Sequence, residues 1–180
     1  MTYENLKDAL AEVRDLIIME SKENLIAAKK GGGALEDSIK GTPVTENNDT
    51  LKFQILMEDY ATFVDKGVSG TETKYDTPYS YTDKMPPPSS LDKWIVRKGI
   101  APRDNKGRFT RRKIETIGFK KSIQFLIARS IFKNGIKPSL FYTKPYHKYL
   151  KSISKRLEKQ YRVDVMDFTE FIIKEYNGKN

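Results

Sequence analysis

The chain contains no cysteine and a single histidine, His147. Disulfides and thiolate metal sites are therefore excluded. A zinc site, which takes three or four ligands, finds no second His or Cys. A Ser–His–Asp triad would have to use His147, and no nucleophile-elbow motif supports one. His147 sits among Lys144, Tyr146, Lys148 and Tyr149, which suits a partly exposed helical histidine. No window approaches the roughly 18 apolar residues of a membrane span. The N-terminus lacks the basic and apolar regions of a signal peptide. The expectation is a soluble protein without a membrane partner. Gly31-Gly32-Gly33 follows a helix instead of opening one, and no Gly-Lys-Ser/Thr comes after it, so no phosphate cradle is present. No internal repeat or low-complexity tract occurs.

The 180 residues suit one domain with a terminal extension, and ten Tyr and nine Phe supply much of the mass for a modest core. Charge is unevenly distributed. Residues 1–92 hold 10 Lys+Arg and 17 Asp+Glu, a net of −7, whereas residues 93–121 are net +9 and residues 122–180 net +7. Three readings stay open: a nucleic-acid footprint, head-to-tail contact between copies, or two solvated faces.

Apolar spacing predicts a helix over residues 4–29, built on Leu6, Leu10, Val13, Ile17, Asn24, Leu25 and Ala28 and stopped by Gly31–Gly33. Residues 38–44 and 50–57 read as two strands of a hairpin around Glu46–Asp49, with Leu51, Phe53, Ile55 and Met57 alternating. Residues 58–70 read as a short helix or turn closing on Gly67. Residues 68–90 form a long loop, expected to be functional or mobile. A helix over 91–98, capped by Ser89 or Ser90, stops at Gly99. A long helix through Ile117, Ile123, Ile127 and Ile131 ends at Gly135. After an extended linker over 136–142, another helix covers 145–160. Residues 163–176 lean to helix. The expected fold is α+β: a small antiparallel sheet packed by a long N-terminal helix and two or three further helices. The expected division is a single domain over 1–160 and a C-terminal extension over 161–180.

Two features bear on chemistry. Arg103, Lys106, Arg108, Arg111, Arg112 and Lys113 cluster in a basic loop over 101–113. It can neutralise phosphates without reading sequence, or dock on an acidic protein. The triplet Glu72-Thr73-Lys74, with Asp65 upstream, could serve a metal-dependent nuclease. Such triplets are common in a chain this charged, so an enzyme is the least favoured reading. No cofactor is expected, and no metal.

Three segments carry a resemblance. Tyr60–Gly67 resembles the tyrosine-alanine, aromatic, valine, acid, x, glycine signature of the tail-completion or neck proteins of long-tailed phages. Leu91–Gly99, with Trp94, is similar to the short Trp-containing helix that often follows there. Ile127–Phe141 resembles that family's ending, in which glycine, isoleucine, x, proline and an aromatic follow a helix. The family usually has Glu and Gly-Thr where Asp65 and Gly67-Val68 stand here. The resemblance spans about residues 4–160. It implies a non-enzymatic virion protein forming a six- or twelve-fold homo-oligomeric ring in the head–tail connector. The ring would join the portal side to the tail around the DNA channel, after assembly in the host cytoplasm. A ring of a short-tailed phage also fits. The resemblance further implies scaffold or interface roles for Tyr60, Phe63, Val64, Gly67, Trp94, Gly99, Gly135, Pro138 and Phe141. Tyr60, Phe63 and Val64 would pack one face of a turn, and Gly67, Gly99 and Gly135 would take positive φ. The basic loop would contact lumen DNA or a neighbouring ring. The alternative is a DNA-binding accessory protein without sequence preference.

Overall fold

A computed structural model of the chain describes residues 3–48, 50–100, 106, 108 and 117–177. In order, they form α1 (Glu4–Ala27), α2 (Ala34–Ser38), β1 (Lys40–Gly41), β2 (Thr45–Asn47), β3 (Thr50–Lys52), β4 (Ile55–Leu56), α3 (Ala61–Lys66), a 3-10 turn (Pro88–Leu91), α4 (Asp92–Arg97), α5 (Ile117–Asn134) and α6 (Thr143–Asn177). The fold is α+β. The chain divides into two compact units, Met1–Asp65 with Ser139–Asn180, and Lys66–Pro138.

In the first unit, α1 buries Ala9, Val13, Ile17, Ser21 and Leu25, each four residues after the last. Leu6 and Leu10 are only half-buried and Ala28 is exposed. Small residues at the centre of a seam let a neighbour approach closely, so bulk alone misplaced the stripe. The helix also stops earlier than the glycines suggest. Lys29 takes the left-handed conformation (φ 57), the N–H of Lys30 donates to Leu25 O, and that of Lys29 to Ile26 O. This is a Schellman ending without glycine. The glycines then lead into α2, to which sequence patterning assigned no element. Glu36 reaches back to accept the Gly32 N–H at 2.6 Å, much as a capping box does.

The strands make a bent antiparallel hairpin. Lys40 pairs with Leu56 and Gly41 with Ile55, then Thr45 with Lys52, Glu46 with Leu51 and Asn47 with Thr50. Between these ladders Thr42, Pro43 and Val44 face only Phe53 and Gln54, so the first arm bulges. Thr42 N–H donates to Gln54 O at 2.8 Å. The return bond runs from Gln54 N–H to Thr42 Oγ1, also at 2.8 Å. The freed Thr42 carbonyl accepts from Arg14 Nη1 at 2.7 Å. Pro43 has no N–H to satisfy. The expected continuous strand over 38–44 is therefore broken. The expected alternation on the other arm holds: Leu51, Phe53, Ile55 and Met57 are half-buried and Lys52, Gln54 and Leu56 exposed.

The hairpin's inner end packs on a core of Leu25, Leu35, Ile39, Ala61 and Phe141, joined by Ile18, Ile55, Met57, Val64 and Tyr142. Phe141 and Leu25 are 0% exposed, and burying such side chains contributes roughly 1.5–3 kcal/mol each. Helices α1 and α6 run antiparallel. Glu20 meets Lys148 at 2.6 Å and Glu12 meets Arg156 at 3.0 Å. The acid–base asymmetry of the sequence is thus partly met inside one chain. α6 has no break at 160–161, where the C-terminal extension was expected to begin. The helix over 145–160 and the helix-leaning tail are one element of 35 residues.

In the second unit, Val68 and Ile136 exchange backbone hydrogen bonds at 2.9 and 2.8 Å. Gly67 and Gly135 take φ of 76° and 72°. Carbonyls at the end of α5 are capped by the 71–73 segment: Thr71 N–H donates to Phe132 O, and Glu72 and Thr73 N–H to Lys133 O. Ser69 N–H donates to Tyr79 O and Tyr81 N–H to Ser69 O. The first half of the 68–90 loop is therefore tied down by backbone bonds and is not a free arm. Ser89 and Ser90 lie inside the 3-10 turn, and neither caps α4 through its side chain. α4 ends in a second Schellman motif, with Gly99 at φ 61° and Ile100 N–H donating to Ile95 O. Asp92 ties α4 to α5 by accepting from Lys120 at 2.8 Å and from Gln124 one turn on.

Candidate functional site

The resemblance-derived residues divide into two groups. Phe141 is fully buried and Val64 packs against the same core. In the second unit, a Cβ on Gly67 would lie 2.6 Å from Ile136 O and 2.7 Å from Pro138. One on Gly135 would lie 2.1 Å from Val68 O. These positions are scaffold. Tyr60 (44% exposed), Phe63 (42%) and Trp94 (37%) stand at the surface. Of the three residues expected on one face of a turn, only Val64 joins the core, because Tyr60 precedes α3 and Phe63 lies on its outer side.

The basic loop lies mostly outside the described residues. Lys106 and Arg108 are described and exposed. Arg103, Arg111, Arg112 and Lys113 are not described. His147 is exposed on α6, edge-on to Tyr146 at 5.5 Å between ring centroids.

The carboxylates suggested for metal chemistry have other partners. Asp65, 4% exposed, accepts the N–H of Tyr142 at 2.9 Å and of Thr143 at 3.2 Å on Oδ1. Thr143 Oγ1 donates to its other oxygen. In return, Asp65 O accepts the N–H of Ser139 and Leu140 at 3.1 and 2.9 Å. Asp65 therefore closes the N-terminus of α6, where a negative charge also meets the positive end of the helix dipole. Glu72 pairs with Lys133, and Lys74 Nζ donates to Gly70 O at 2.8 Å. Among the described residues, no cluster of three or more His, Asp or Glu could hold a metal ion.

Asp164 is the second buried carboxylate, and patterning did not single it out. It lies on the face of α6 that meets α1. Its Oδ1 accepts the Asn5 N–H and its Oδ2 the Leu6 N–H, both at 3.2 Å. Asp164 meets the first turn of α1, which begins at Glu4, and among the described residues α1 extends no further along α6. The remaining residues to Asn177 extend about 20 Å at 1.5 Å per residue. Val165, Met166, Phe168, Phe171, Ile172 and Ile173 are all exposed there, Met166 and Phe171 at 62% and 57%. Tyr161, Val165, Phe168 and Ile172 recur at 4, 3 and 4 residues, a narrow apolar seam of the kind that packs helix on helix. That spacing was present in the sequence.

No helix of the described residues is long and apolar enough to cross a membrane. No family model, no curated protein and no solved structure matches this chain.

Proposed function

We propose that the chain is a structural, non-catalytic virion subunit of a tailed phage. It works as one copy in a ring of the head–tail connector, around the DNA channel between portal and tail. The observation that carries the assembly part is the exposed apolar seam of distal α6. Contiguous apolar surface of this kind marks a protein interaction site. The phage assignment comes from the resemblance. It is supported by Gly67, Gly99 and Gly135, which take the left-handed conformations expected of them. The exposed aromatics Tyr60, Phe63 and Trp94 offer further contacts for a neighbouring copy or ring.

Mass photometry across a concentration series, with electron microscopy of the large species, tests the reading. Closed rings with a central hole are expected, either from the chain alone or on a preformed portal assembly. A folded chain that stays monomeric under both conditions would sink it.

A further inference from the structure

Lys144, Lys148, Lys151, Lys155, Lys159 and Arg162 follow one another on α6 at intervals of 4, 3, 4, 4 and 3 residues, and all six are exposed. At about 100° per residue, all fall within roughly 80° of arc. Asp164, which caps α1, lies opposite, and Lys148 of the ridge also reaches Glu20 of α1. The six form a straight ridge about 27 Å long at 1.5 Å per residue. Lys148 and Arg162 pair with Glu20 and Glu158. Among the described residues, no carboxylate is in ion-pair contact with Lys144, Lys151, Lys155 or Lys159. Like charges one turn apart repel and weaken a helix by a few tenths of a kcal/mol per pair. Arranging them in line thus opposes folding slightly and suits a polyanion.

We propose that this ridge is a contact surface for the phosphate backbone of duplex DNA. Lysine offers a mobile point charge and no planar fork for base edges. No aromatic side chain lies in the stripe, so the stacking platform that single strands require is missing. The match is charge against charge along two stiff rods. Over 27 Å of axis a duplex presents roughly sixteen phosphates, at one per ~1.7 Å. The inference extends the DNA-channel part of the function proposed above, and moves the contact from the 101–113 loop to α6.

The test is a titration of the full chain with a short synthetic duplex at several salt concentrations. Each phosphate contact adds about 0.9 to the slope of log K against log salt. The four unpaired lysines alone then give a slope of about −3.6. The triple variant Lys151→Ala, Lys155→Ala, Lys159→Ala should flatten it by about 2.7, and the matching triple arginine variant should restore it. Alanine is a strong helix former, so the fold is preserved, and a thermal melt verifies this. The proposal would be overturned by no duplex binding at low salt, an unchanged slope in the alanine variant, or equal competition by polyglutamate. Loss of all binding in Arg111→Ala, Arg112→Ala with the ridge intact would also do so. Ring formation is read separately by mass, so failure of the ridge and failure of the ring give different results.

Discussion

The carboxylate of Asp164 accepts both the backbone N–H of Asn5, at 3.2 Å, and its side-chain amide, at 2.8 Å. A residue late in the chain thus closes the first turn of the first helix. The N-terminal N–H groups of a helix have no partner within it, and a negative charge there is favoured. Asp164→Ala should cost about 1–3 kcal/mol in urea unfolding, through half-buried donors left unpaired. Asp164→Asn should recover part of that. A cost below about 0.5 kcal/mol for the alanine variant would show that the cap is not needed.

Asp65 performs the same task for α6 and is joined to it by more bonds. It accepts three donors at its carboxylate and two at its carbonyl. Asp65→Ala should destabilise the first unit by about 1.5–3 kcal/mol, the range for losing hydrogen bonds to a charged group and leaving their donors unpaired. Far-UV circular dichroism during urea unfolding reads the loss. An Asp65→Ala chain as stable as the parent would contradict the capping role.

Gly135 stands where no other residue fits. Its φ is 72°, and a Cβ would sit 2.1 Å from Val68 O and 2.6 Å from Gly70 N. Gly135→Ala should separate the Val68–Ile136 bridge and lower stability by at least about 1–2 kcal/mol, the cost of a strained left-handed residue alone. Gly99→Ala supplies the comparison. Gly99 has φ 61° with nothing near its added Cβ, so it should lose only the conformational part. Equal melting shifts for the two variants would refute the close-approach explanation.

Glu20 is held below its usual carboxylate range, first by the hydrogen bond from Lys148 and then by one from Tyr149. A depressed carboxylate stabilises the fold above its unfolded value near 4.5. That contribution is lost as pH falls through the lower folded value. Lys148 is raised above its ordinary value by the same bond, so its share is lost at alkaline pH. Lys148→Met should raise the Glu20 pKa, read by NMR titration, and reduce the loss of stability below about pH 4.5. The effect should be small, because the pair faces solvent. A Glu20 titration unmoved in the variant would rule out the coupling.

Phe168→Glu with Ile172→Glu should abolish ring formation while leaving the melting temperature of the subunit within about 2 °C. Neither side chain is buried in the chain itself, and surface changes typically stay within about 0.5 kcal/mol. Mass photometry and a melt of the same sample check both halves. Rings that persist in the double variant would place the subunit contact elsewhere, with Tyr60, Phe63 and Trp94 the next residues to change.

Much of this molecule is legible in its residues taken in order. Period-two alternation from Leu51 to Met57 and the helices ending near Gly67, Gly99 and Gly135 follow from local rules of side-chain direction and glycine's access to positive φ. The seam of distal α6 also stands in the spacing from Tyr161 to Ile172. Other features are not local. The bulge at Thr42 depends on Arg14 taking a carbonyl 28 residues away. The stop of α1 falls on Lys29, a residue that local propensity does not select. Asp65 and Asp164 look like any other surface acids until the helices they cap, 78 and 159 residues distant, arrive beside them. The alignment of lysines on α6 is written in the sequence. That most of this face stays exposed while Asp164 on the opposite one caps α1 was decided by the tertiary structure, because α1 packs along one side of the proximal part of α6 and leaves the lysines and the distal apolar residues to water.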